Sequence, residues 1–232
     1  LQNVHEQTVN PEQFLFAKET DIACTMMALC VLTGDLVASS ALAPKEVDAA
    51  LTTIETAATE IANWQSPAIA THFARRGGDS WQISIDAPEL GLRAALYIAA
   101  CLNRNDTAAV TRIAIARGTG TLSETGDLNA AHGPVFVASG RLLTNLSGHA
   151  LMAHADGGAM HAATRLADYI ASGWTQTQAR TVAAFLQPNA PNRAEVAKSF
   201  GVTRQAVNQS LWSAGYPTIE EALNALETEA GK

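Results

Sequence analysis

Residues 22–35, IACTMMALCVLTGD, form a nearly continuous apolar run that ends on Gly34-Asp35. The run is too short to span a membrane and reads as a strand buried on both faces. From Pro44 onward, Val47, Leu51, Ile54, Ala58 and Ile61 recur in steps of four and three. This is the pattern of an amphipathic helix with proline in its first turn, ended before Ser66-Pro67. Segments 68–74 and 80–85 flank Arg-Arg-Gly-Gly-Asp and predict a hairpin with Gly77, Gly78 and Asp79 at its tip. A second helix starts at Pro88 and runs through Leu92, Leu96, Ala99 and Leu102. After the polar break NRNDT comes a strand over 110–116, which RGTGTL leaves. HGPVFVASGRLLTNL then predicts a helix behind a glycine-rich loop, HALMAHA a strand, and 158–171 a helix.

The first six elements make a split βαβ arrangement, an α+β, ferredoxin-like domain placed at 22–172 behind an extension at 1–21. Gly173-Trp174 marks a boundary, because 174–229 reads as short helices separated by turn residues. With 232 residues, 47% of them hydrophobic, the chain can bury a proper core beside a small companion domain. No apolar run reaches membrane length, and the polar start LQNVHEQTVNPEQ lacks the layout of a secretory signal, so a cytoplasmic protein is expected. Cys24, Cys30 and Cys101 lie in apolar segments without metal-ligand spacing and read as reduced core thiols. The formal net charge of −7 argues against an extensive phosphate-neutralising surface while leaving room for a small reading head.

In this topology the end of the first strand lies beside the hairpin tip, so Asp35 and Asp79 converge. Two carboxylates without intervening lysines repel each other, and a divalent cation is the commonest reason to hold them together. The alternative is that each aspartate merely caps its own turn. The pair VLTGDLVASS and FARRGGDSWQI, with a helix between, resembles the metal-binding aspartate motifs of class III nucleotidyl cyclases. In particular it is similar to SatD-type proteins, which join a cyclase-like domain to a C-terminal helix-turn-helix. RRGGDSW also resembles the diguanylate cyclase hairpin, but Ser80 replaces the glutamate which that activity uses. TRIAIARGTG and GPVFVASGRLL resemble later cyclase segments, and the likeness covers roughly residues 22–155.

The resemblance implies Mg2+ or Mn2+ held by Asp35, Asp79 and the carbonyl of Leu36, with a purine nucleotide as ligand beside Gly34, Arg75 and Gly78. It places Arg141 where the cyclases stabilise phosphoryl charge, as catalytic residue, and implies a homodimer whose subunits share each centre. Val137 and Ala130 depart from the pattern at positions that orient ribose and choose the purine. Arg141 as a solvated helix arginine stays open beside the catalytic reading.

NRAEVAKSFGVTRQAVNQSLWSAG carries the second motif. Asn192 with Glu195 makes a capping-box-like start, Gly201 supports a turn, Thr203 can cap the next helix, and Val207 and Leu211 would bury one of its faces. The spacing, with TQTQARTVAAFL as supporting helix, resembles helix-turn-helix units of sigma-factor region-four and LuxR-like domains. Thr203, Arg204, Gln205, Asn208 and Gln209 are the candidate DNA-binding residues, suited to phosphates and purine edges, the alternative being a helical module used for protein contact. From Trp174 to Lys232, five Lys or Arg face five Glu, so one such head gains little from counterion release and paired engagement by a dimer is expected. Residues 218–229 form an acidic amphipathic helix for packing or dimerisation. The combined reading is a DNA-binding transcriptional regulator whose cyclase-like domain senses a metal-bound nucleotide. An active purine nucleotidyl cyclase, a phosphorus-oxygen lyase, and an adaptor that binds no nucleotide are the alternatives.

Overall fold

The computed structural model describes residues 26–105 and 109–230. The extension 1–21, the first residues of the predicted opening strand and Cys24 lie outside the described residues. The elements follow the order β1 (Met27–Leu36), α1 (Pro44–Ala62), β2 (Thr71–Arg76), β3 (Ser80–Ile85), α2 (Gly91–Arg104), β4 (Thr111–Gly120), α3 (Pro134–Asn145), β5 (Met152–His154) and α4 (Gly158–Ser172). Four further helices follow, α5 (Gln176–Leu186), α6 (Arg193–Phe200), α7 (Arg204–Ser213) and α8 (Tyr216–Ala230). The strands form one sheet in the order β2-β3-β1-β4-β5. β1 runs antiparallel to both β3 and β4, and β5 adds an edge parallel to β4. Strands β1 to β4 therefore have the split βαβ arrangement expected from the sequence.

β1 is covered on both faces, which is why its sequence is apolar without alternation. Cys30, Leu32 and Leu36 enter the large core shared with α1 and α2, while Val31 packs with Ala116 and Val135 under α3. α1 buries Leu51, Ile54, Ala58 and Ile61, four of the five periodic positions, and leaves Val47 half-buried at the rim. β2 covers Thr71–Arg76 instead of 68–74 and β5 only Met152–His154 within the expected 149–155, and two further boundaries also differ from expectation. β4 continues to Gly120 instead of ending at 116, because its ladder with β1 holds as far as Met27 opposite Gly120. α2 begins at Gly91, after a 3-10 turn over Pro88–Leu90 in which the Leu90 N–H reaches back to the Ala87 carbonyl.

Helices α5 to α8 share the core of the sheet domain. Ala179, Val182, Ala183 and Leu186 of α5 belong to the same apolar cluster as Leu96 and Ala100 of α2. Gly173-Trp174, the expected boundary, is a turn at this core: Trp174 is buried and donates its indole N–H to the Ala214 carbonyl. Arg93 of α2 donates to Glu227 and Asn224 of α8 and to the Leu186 carbonyl. The acidic helix foreseen at 218–229 thus packs on α2 through its carboxylate. Cys30 and Cys101 are buried, and burial pushes their thiols up to about 12 and about 11 respectively. No helix among the described residues is long and apolar enough to cross a membrane.

Candidate functional site

The end of β1 and the tip of the β2–β3 hairpin meet as expected. Asp35 stands opposite Ser80 in the antiparallel ladder, and the Leu36 N–H donates to the Asp79 carbonyl at 3.3 Å. Behind them the Trp81 indole N–H donates to Thr111 Oγ1 (3.0 Å), which in turn donates to the Asp35 carbonyl (2.8 Å). The next turn is built on Ala38, whose φ of 50° places a non-glycine residue in the left-handed region. Such a conformation costs on the order of 1 kcal/mol and persists where its surroundings fix it. Here it launches the 3-10 turn Ser39–Ala41, and the Ser39 hydroxyl donates to Asp79 Oδ2. Ser80 Oγ reaches Asp79 Oδ1 at 3.4 Å.

The metal reading of Asp35, Leu36 and Asp79 needs a correction at its premise, because a cation already sits there. β4 places Arg112 directly across from Asp35, and the guanidinium takes both carboxylate oxygens, Nε to Oδ1 at 2.8 Å and Nη2 to Oδ2. Its third arm, Nη1, donates to the Leu146 carbonyl at 2.7 Å, at the C-cap of α3. The hydrogen bond to Asp35 raises the Arg112 pKa above its ordinary value, with partial burial opposing and the charges of Asp35 and Asp79 assisting. Both carboxylates therefore act on one guanidinium. As arranged, the residues do not fit a divalent ion at Asp35, since its oxygens are committed and a fixed positive charge lies against them. Among the described residues no group of three or more His, Cys, Asp or Glu could hold a metal.

The residues expected around a nucleotide have other work in this fold. Gly34 is required by Trp81: a Cβ there would lie 2.4 Å from the indole ring and 2.5 Å from the Arg112 carbonyl. Arg75 pairs with Asp48 of α1 at 2.9 Å and donates to the Gly78 carbonyl at 3.3 Å, bracing the hairpin tip. Arg141 is exposed on α3. Ser139 of the same helix faces the sheet, where Thr33 Oγ1 donates to its hydroxyl at 2.8 Å. Two residues further along an α-helix the side chain has turned through about 200°, so Arg141 points away from the sheet and from Asp35. Within one chain the structure does not bring them together.

At the other end, α6 and α7 are two short helices joined by a turn at Gly201. Asn192 Oδ1 accepts from the backbone N–H groups of Ala194 and Glu195, while Glu195 Oε2 accepts from the Asn192 N–H. Gly201 ends α6 with φ of 68°, a left-handed conformation that glycine adopts without a Cβ penalty. Thr203 Oγ1 accepts from the Ala206 N–H and caps α7. Val207 and Leu211 are buried, and Ser210 Oγ donates to Thr181 of the supporting α5. Arg204, Gln205 and Gln209 are exposed as expected. Asn208 corrects the reading: it is half-buried, and its Oδ1 is enclosed without a hydrogen-bond partner.

No family model matches the sequence, and no curated protein matches it. Among solved structures, the chain is similar to the guanylyl cyclase Cya2, with a TM-score of 0.41 and 16% identity over 54% of this chain and 73% of that one. Two structures of a bacterial light-regulated adenylyl cyclase match with TM-scores of 0.41 and 0.42 and identities of 16% and 17%. Each match covers 56% of this chain and 43% of the cyclase chain, so the chain spans less than half the length of those relatives. Likeness at this identity carries no statement about activity.

Sequence reasoning missed Arg112, Ser39 and Trp212. Arg112 sits inside the quoted strand TRIAIA, yet its partner is fixed by the β1–β4 register across 77 residues of chain. Trp212 is 68% exposed on α7. It follows Asn208 and Gln209 at helical spacing, and so extends the face that carries Arg204, Gln205 and Gln209.

Proposed function

We propose that this protein is a DNA-binding regulator whose α6–α7 unit reads DNA and whose sheet domain carries and positions that unit. The observation that carries the reading is the capped α6–turn–α7 pair with Arg204, Gln205 and Gln209 exposed on one helix. Arg and Gln are the side chains that pair with guanine and adenine edges, and the start of a recognition helix is where such contacts are made. Because 174–232 is electrically balanced, one copy gains little from counterion release, and a homodimer engaging two half-sites supplies the missing affinity.

In this reading the sheet domain is a scaffold for that unit and not a cyclase. Cyclisation would need Asp35 on a metal, and that carboxylate is held by Arg112. Incubation with ATP or GTP and Mn2+ is expected to give no cyclic product by mass spectrometry. Fluorescence anisotropy on random-sequence duplex DNA at low salt tests the main claim. Arg204→Ala is expected to weaken binding by about 5–10-fold, equivalent to roughly 1 kcal/mol for one lost contact. Equal binding by the variant and the wild type would remove α7 as the reading helix. Light scattering checks the dimer.

A further inference from the structure

We propose that Arg112 is the resident cation of the two-aspartate cluster, holding the place at Asp35 that a divalent ion would need. Three negative poles converge on its guanidinium: the Asp35 carboxylate through two charge-assisted bonds, the Leu146 carbonyl, and the nearby charge of Asp79. Leu146 caps the C-terminal end of α3, where the helix dipole itself attracts a positive group. An arginine stays protonated at any pH the protein survives, so this charge cannot be shed to admit a metal.

Arg112 is also anchored by its backbone. Its strand partner is the same Asp35, so the cation and its carboxylate are fixed by adjacent strands and no side-chain excursion is needed to join them. A metal at Asp35 would displace both N–H bonds and then sit against the guanidinium. Hard divalent ions take about six oxygen ligands. The remaining carboxylate, Asp79, is already a hydrogen-bond acceptor from Ser39 and Ser80. The cluster is therefore a latch joining the end of β1, the start of β4 and the end of α3, and it takes no divalent cation while Arg112 is present.

Mn2+ binding to the 232-residue chain, read as loss of the free-ion signal in electron paramagnetic resonance, tests it. Wild type and Asp35→Asn are expected to behave alike. Arg112→Ala is expected to gain Mn2+ binding at least about tenfold tighter than wild type, through freed carboxylate oxygens. That gain should vanish in Arg112→Ala/Asp35→Asn and be absent in Arg112→Lys, which keeps the charge. Wild-type binding abolished by Asp35→Asn would overturn the proposal, as would a folded Arg112→Ala that binds no better than wild type. Should circular dichroism show Arg112→Ala unfolded, the comparison of wild type with Asp35→Asn decides alone. No DNA is used, so its failure is separate from failure of α7 as a reading helix.

Discussion

Truncating Arg93 tests whether α5 to α8 are held by the sheet domain or merely follow it. Arg93 is 4% exposed and donates through Nε and Nη2 to Glu227 at 2.6 and 2.9 Å, to Asn224 at 3.0 Å, and through Nη1 to Leu186 at 3.2 Å. Arg93→Met keeps the apolar stem and removes every one of those bonds, leaving the Glu227 carboxylate without its partner. Breaking a buried ion pair from one side costs about 3–5 kcal/mol. The Glu227 side chain retains 18% exposure, which lets water relieve part of the penalty and sets the expectation at the lower end, about 3 kcal/mol. For a chain of this size that is a fall in Tm of roughly 6–12 °C. Differential scanning calorimetry should show a single transition moving down, because α2 and α5 share one core. Adding Glu227→Met removes the orphaned charge and should recover about 1 kcal/mol or more. A shift below about 2 °C, or a separate early transition in the wild type, would refute this account of the docking.

Two further outcomes follow from buried groups. Gly34→Ala forces a methyl against the Trp81 ring and the Arg112 carbonyl, and overpacking of this kind should cost about 2–3 kcal/mol by urea denaturation; a neutral effect would mean that Trp81 is free to move. His154 is buried, and burial, aided by Arg117 and His161 and opposed by Asp156, lowers its pKa from the ordinary 6.5 to about 4. Its Nδ1 lies 3.5 Å from Asp156 Oδ1, which would suit an ion pair, but it also accepts the Asp156 backbone N–H at 3.2 Å, which only the neutral ring can do. Since the unfolded chain binds the proton first, stability is full above pH 6.5 and is lost as pH falls toward 4, by up to about 3 kcal/mol. Urea melts from pH 7 to pH 4.5 should show this slope flattened in His154→Asn; an unchanged slope would assign it to other groups.

What the sequence determined by itself is local. The apolar run of β1, the stride of α1 and the caps at Asn192 and Thr203 are written within a few residues of where they act, since hydrophobic period and capping are short-range effects. The order of the first six elements also places Asp35 beside Asp79, because a split βαβ topology leaves little choice of neighbours. Register and docking are different. Arg112 meets Asp35 from 77 residues away, and Arg93 meets Glu227 from 134. No periodicity or turn signal connects such positions; they are brought together when apolar faces close over the sheet. That closure set one guanidinium against the pair of carboxylates, bonded to Asp35, and put the predicted boundary at Gly173-Trp174 at the edge of one core.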